Sequence, residues 1–230
     1  MDELRVLHED NHIIVVLKPQ GVPTCPDESG DENLLDAVRD YVREKYEKPG
    51  NVYIGLVHRL DRPTGGVMVF ARTSKAAGRL SEQMKNGDFE KKYLAVLTAV
   101  PKEKQGKLVN YLKKNAVNNM VYLCPQTTDG AKLASLEYRV ADEKGGYALA
   151  DIRLHTGRSH QIRVQMAGIG CPVAGDMRYG GPNAKKGNLA LWAYSLAFTH
   201  PVTGERMRFM AEPPDANPWK YFSAESLFEL

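Results

Sequence analysis

At 230 residues, 43% of them hydrophobic, the chain is long enough to bury a sizeable core, which excludes an intrinsically disordered protein. Lysine and arginine (31) exceed aspartate and glutamate (28) by a formal charge of +3, a mild basic balance that permits an anionic partner without requiring one. The three cysteines, Cys25, Cys124 and Cys171, lie far apart with no CxxC pair, so neither a disulfide framework nor a zinc knuckle is predicted, and a reducing, cytoplasmic compartment is expected.

The opening MDELRVLHED is acidic and polar where a secretory leader would be basic and then apolar. The longest apolar runs, such as 13–17, are much too short to span a bilayer, so no membrane partner is expected. Residues 4–17 read as a hairpin of two short strands around the turn Glu9-Asp10-Asn11. KPQGVPTCPDESGD, at 18–31, is too rich in Pro, Gly and acidic residues for regular structure and predicts a long loop. Leu34, Leu35, Val38, Tyr41 and Val42 then recur at helical spacing, with Asp31 or Asn33 available as the cap.

Strand patterns follow at 53–57 and 67–71, and Ser74 is the expected cap of a helix with a buried stripe of Ala77, Leu80 and Met84 that stops at Gly87. KKYLAVLTAV returns to strand; a lysine-bearing segment beyond Pro101 separates it from strand candidates at 120–124, 133–140 and 147–154. In the last of these Ala148, Ala150, Ile152 and Leu154 share one face, the period-two pattern of a half-buried strand. TGRSHQIRVQMAG predicts a turn and a short helix capped at Ser159, residues 189–199 and 206–210 a late hairpin, and the tail from Asn217 a terminal helix. Strands dominate without regular strand–helix alternation, which predicts an α+β fold with a large mixed or antiparallel sheet flanked by helices.

Chemistry concentrates in two stretches. HRLDRPTGG places Asp61 in a Pro- and Gly-containing turn between two apolar strands, where a carboxylate can face a cleft while the backbone is held on both sides and can act as nucleophile or general base. For an isolated Asp before Pro-Thr-Gly, a turn-capping role is the ordinary alternative. HTGRSHQIR gathers His155, Arg158, His160, Gln161 and Arg163 within nine positions beside Gly157, a donor-rich cluster suited to an anion or a base edge. Tyr93, in KKYLAVL, would otherwise be a core aromatic, and the arginines a solvated face. A buried carboxylate needs a cation to stay ionised, and Arg163 is a candidate for it.

HRLDRPTGG, KKYLAVL and LHTGRSHQIRVQMAGIGCPVAGDMRYG, in this order, resemble the three motif blocks of the RluA-type family of RNA pseudouridine synthases, and VLKPQGVPT resembles that family's N-terminal Lys-Pro-x-Gly segment. The resemblance runs from the first strand to the final hairpin. It implies a single catalytic domain over residues 1–230, with no separate N-terminal RNA-binding domain of the S4 type. It also implies an isomerase that converts uridine to pseudouridine in structured RNA, ribosomal or transfer, without cofactor or metal. Asp61 matches the essential aspartate, which attacks sugar or base or removes a sugar proton; Tyr93 matches a tyrosine that packs on the target base; Arg163 matches an arginine that pairs with the aspartate. Ile162 matches an apolar residue lining the base pocket, and Arg59 an arginine that occupies the space of the everted nucleotide; Arg158, His160 and Gln161 join them as substrate-binding candidates.

Extruding a uridine costs a few kcal/mol, offset by stacking and hydrogen bonds in the pocket. The chain departs from the usual Thr-Ser-Gly at Thr64-Gly65-Gly66, which predicts altered turn rigidity rather than lost chemistry. RNA affinity is expected from Lys91, Lys92, the lysines of 102–114, Arg178, Lys185 and Lys186, on a monomer. Three other readings carry less. A catalytically silent binder would not keep Asp61, Tyr93 and Arg163. A kinase loop fails on order and on its missing Asn. A glycoside hydrolase needs a second acid, for which Asp151 and Asp176 are candidates, Asp176 being better read as a turn carboxylate bonded to backbone amides.

Overall fold

The structure, a computed structural model, describes residues 4–47, 49–181, 184 and 186–223. It divides into two compact units, Met1–Glu90 with Ala193–Ala211, and Lys91–Trp192 with Glu212–Leu230. The architecture is α+β, as predicted.

In the first unit the expected hairpin is β1 (Val6–Glu9) and β2 (Ile13–Lys18), antiparallel, with Asp10 Oδ1 accepting from the amides of His12 and Ile13 at the turn. α1 (Leu34–Lys45) is capped by Asn33, whose side chain accepts from the Asp36 amide, and buries Leu34, Val38 and Val42. β3 is only Gly55–Leu56, and β4 (Gly65–Ala71) begins two residues earlier than predicted; β3 and β2 both pair antiparallel with it. β4 is buried along its whole length, so its apolar run is continuous rather than alternating.

α2 (Ser74–Asn86) is capped by Thr73, not Ser74: the Thr73 side chain accepts from the Ala76 amide, the bond a cap makes three residues ahead. The buried stripe differs from the expected one: Ala76 and Leu80 are fully buried, and Ala77 and Met84 only flank them. Gly87 ends the helix in the left-handed conformation, as predicted. Ile13, Val15, Val67, Val69 and Ala71 from β2 and β4 form one core with Ala76, Leu80 and Phe89. Leu196 and Phe198 of the late hairpin, β10 (Leu191–Thr199) and β11 (Arg206–Met210), complete it.

The second unit is an antiparallel series, β5 (Glu90–Leu97), β9 (Tyr147–Leu154), β8 (Lys132–Lys144), β6 (Gln105–Lys114) and β7 (Val121–Cys124), in that order across the sheet. β6 occupies the lysine-bearing segment that carried no strand prediction; its side chains alternate exposed and half-buried, with lysines on the open side. Ser159 does not cap α3 (Gln161–Gly168). His160 occupies the cap in a left-handed conformation (φ 52°) and makes no side-chain cap bond. Val164 of α3 packs on Leu112, Val121 and Ala134, so the helix lies over one face of these strands. Of the expected terminal helix, a 3-10 turn at Trp219–Tyr221 is present, and residues 224–230 lie outside the described residues. Among the described residues no helix is long and apolar enough to cross a membrane.

Candidate active site

Asp61 lies where the chain leaves β3 and turns back into β4. The Thr64 amide donates to the Asp61 carbonyl (2.9 Å), which closes the turn, and Gly66 follows at φ +129°. A Cβ on Gly66 would stand 2.3 Å from the Ala193 carbonyl oxygen, so this second glycine of the Thr-Gly-Gly stretch is required by the approach of β10. His58 is structural: its Nε2 accepts from the Val69 amide and its ring packs on Phe89.

The KPQGVPT loop grips this turn from below, a function that sequence reading did not assign to it. Lys18 is fully buried, and its ammonium donates to the carbonyls of Pro19 (3.0 Å), Arg62 (3.1 Å) and Thr64 (2.8 Å). Gln20 donates to the Pro63 carbonyl, Thr24 Oγ1 bonds both the carbonyl and the amide of Leu60, and the Gly21 amide donates to the Arg62 carbonyl. Leu60, Arg62, Pro63 and Thr64 thus each have a backbone group tied to this loop, while Asp61 between them is part-exposed. Burial pulls the Lys18 pKa down to about 7; the Asp61 charge acts against that fall and the Arg62 charge with it. A buried cation and a part-exposed carboxylate therefore interact within one clamped loop pair. Arg59 is exposed one residue before the clamp, and Arg62 is held by the Gly21 carbonyl and the Asp31 carboxylate.

The second unit holds the other candidates. Tyr93 is buried in β5 opposite Ile152, on the face that α3 covers. Gln161 organises the HTGRSHQ turn: its Oε1 accepts from Thr156 Oγ1 (2.7 Å) and the Arg158 amide (3.0 Å), and its Nε2 donates to the Ser135 carbonyl (3.1 Å). That is a positioning role inside a buried network. Arg158 is exposed, with its Nε on the Leu133 carbonyl. Ile162 and Arg163 are buried on α3.

The Arg163 guanidinium forks onto Asp176, with Nε and Nη2 each 2.7 Å from one of its oxygens. The Asp176 Oδ1 also accepts from the amides of Arg178 and Tyr179, which bears out its reading as a turn carboxylate; the guanidinium holds its pKa below the usual range. With both oxygens engaged and Asp176 buried, it cannot serve as the second acid of a hydrolase. The Arg163 guanidinium also lies over the Tyr179 ring, 5.1 Å from its centre. The Tyr179 hydroxyl accepts from the Val121 amide and is hydrogen-bonded to His160 Nδ1 at 2.7 Å. This bond and the left-handed backbone give His160 a fixed orientation. Lys92 is 3.9 Å from Asp151, Lys91 is half-buried beside Gly157, and Lys185 lies outside the described residues.

Residues 12–168 match the family described as RNA pseudouridylate synthase. A Bacillus subtilis protein named uncharacterized RNA pseudouridine synthase YhcT is 31% identical over 92% of this chain and 68% of its own length. Ribosomal large subunit pseudouridine synthase D of Xanthomonas campestris pv. campestris is 34% identical over 92% of this chain and 66% of its own. The chain thus spans about two thirds of the length of these relatives. Human RNA Pseudouridylate Synthase Domain Containing 4 has the same fold, with a TM-score of 0.77 at 24% identity over 92% of this chain and 89% of that one. By this match over residues 12–168 and by these relatives, the chain belongs to the RNA pseudouridylate synthase family.

Proposed function

We propose that this chain isomerises uridine in ribosomal RNA, with Asp61 as the catalytic carboxylate. The observation that carries this reading is the clamped turn: Lys18, Gln20 and Thr24 fix the backbone on both sides of Asp61 and leave its side chain part-exposed. Such rigidity is what a group needs to meet a reacting carbon at a set distance. In the reaction the bond from the ribose carbon to the base nitrogen breaks, the base turns, a carbon–carbon bond forms to the same ribose carbon, the ring carbon gives up its proton, and the freed ring nitrogen takes one up. The roles implied for Tyr93, Arg163, Ile162 and Arg59 are carried over from the family resemblance as part of this proposal. Ribosomal rather than transfer RNA is favoured by the naming of several relatives as ribosomal large subunit enzymes.

The test uses cellular RNA from a strain lacking the gene, tritiated on the uracil carbon that becomes bonded to the sugar. Wild-type protein is expected to release tritium to water, and Asp61→Asn to release none while binding RNA as before. Turnover by Asp61→Asn would sink the proposed role. Mapping the modified uridine names the RNA.

A further inference from the structure

The face of the second unit's strands that α3 does not cover carries a patch of its own. Along β6 this face presents Lys107, Val109, Tyr111 and Lys113, whose opposite positions are Tyr122 and Cys124 in β7 and Leu133, Ser135 and Glu137 in β8. Tyr122 stands directly across from Lys113 and diagonal to Tyr111, so Tyr111, Lys113 and Tyr122 are near neighbours on one surface, with Cβ separations on the order of 5–8 Å. Val109, Tyr122 and Leu133 are 55%, 46% and 43% exposed, large for a sheet interior, so the described residues leave the β6–β8 part of this face open. The charge is positive on balance. From β5 to β6 the face holds Lys92, Arg153, Arg139, Lys144, Lys107 and Lys113, with the carboxylates Glu90, Asp151, Asp142 and Glu137 among them. Lys92 stands by Asp151, and Lys107 and His155 by Glu137, while Lys113, Arg139 and Arg153 are exposed.

An open antiparallel face with tyrosines set among cations matches the needs of single-stranded nucleic acid: flat rings for successive bases and positive charge for the phosphates between them. A protein partner would favour a wider apolar patch with fewer charges at its centre. We propose that the outer face of β6, β7 and β8 is a platform for a single-stranded segment of the RNA substrate, with bases stacking on Tyr111 and Tyr122 and phosphates on Lys113 and Arg153. This rests on the reading of the chain as an RNA-modifying enzyme only for the source of the strand; the surface chemistry stands by itself.

The test is anisotropy of a short fluorescent oligouridylate titrated with the full chain. Tyr111→Ala with Tyr122→Ala is expected to weaken binding by about tenfold or more, as loss of base stacking does, and Tyr122→Phe to keep it. Lys113→Ala is expected to lower the salt slope by about 0.7, one phosphate contact on a single strand. Circular dichroism checks that the substitutions, at exposed Tyr122 and Lys113 and at half-buried Tyr111, leave the fold intact. Unchanged affinity in the double variant would overturn the proposal and leave the face to a protein partner. Failure of the wild type to bind the oligonucleotide would also overturn it, while tritium release by the same preparation would keep the enzymatic reading. Oligonucleotide binding that depends on the tyrosines, with no tritium release, would support the platform and remove the enzyme.

Discussion

Lys18 is a residue whose environment sets its chemistry against its type. A lysine is ordinarily charged to pH 10.5 and exposed; here burial brings the pKa to about 7. Between those values the unfolded chain holds the proton and the folded chain has released it, so this group's contribution to stability rises with pH across that window. The difference in urea midpoint between wild type and Lys18→Met is therefore expected to shift toward wild type from pH 7 to pH 10. A constant difference would mean that the ammonium keeps its proton. The neutral amine has two N–H groups for three carbonyls, so the grip on the Asp61 turn is fullest below pH 7. The Arg163–Asp176 fork differs, being a buried pair in which each partner compensates the other. Asp176→Asn keeps the shape and removes the charge; it is expected to cost about 3 kcal/mol in stability, measured by denaturant unfolding, because the guanidinium stays buried. A loss below 1 kcal/mol would show that solvent or another carboxylate takes over.

Local geometry decides which sequence signals survive at the scale of elements. Thr73 and Ser74 are both competent caps, and the pattern offered no way to choose between them; the bond from the Ala76 amide to Thr73 makes the choice. Thr73→Ala is expected to lower stability by about 1 kcal/mol, and Ser74→Ala by much less, in thermal unfolding. Equal effects would return the cap to Ser74. β6 was illegible for another reason: its ladder bonds are made by backbone, and its open-face lysines look like loop residues. The hairpin at 6–18, α1 with its Asn33 cap and the Gly87 stop were legible because a local pattern determines each of them. Within the candidate site, Asp176 could be read locally as a turn carboxylate. Its partnership with Arg163 spans 13 positions and two elements, so no spacing rule reveals it. Lys18 was quoted within a motif but given no role, because burial of a lysine is invisible until the loop at 60–64 closes over it.

For the molecule as a whole, net charge is a poor guide to RNA affinity. A formal +3 over 230 residues is small, and part of it is consumed internally: Lys18 is buried, Lys92 stands by Asp151, Lys104 by Glu143 and Lys107 by Glu137. In the second unit the exposed cations include Lys102, Lys113, Lys114, Arg139, Arg153, Arg178 and Lys186. If roughly four or five of them reach phosphates, the logarithm of the affinity for structured RNA falls against the logarithm of salt with a slope of about −4. Binding measured from 50 to 300 mM salt checks this. A slope near −1 would mean that affinity comes from the base pocket and shape rather than from phosphates. A slope near −8 would require the half-buried lysines, Lys91 and Lys92, to leave their places and join the contact. Because Lys113 and Arg153 lie on one sheet face, Lys113→Glu with Arg153→Glu is expected to remove close to half of the slope while changing the net charge only from +3 to −1. The same reversal at Lys75 and Lys85, exposed on α2 far along the sequence, makes the identical change in net charge and is expected to leave the slope nearly intact. Equal losses from the two double variants would show that long-range charge, and not the patch, governs association.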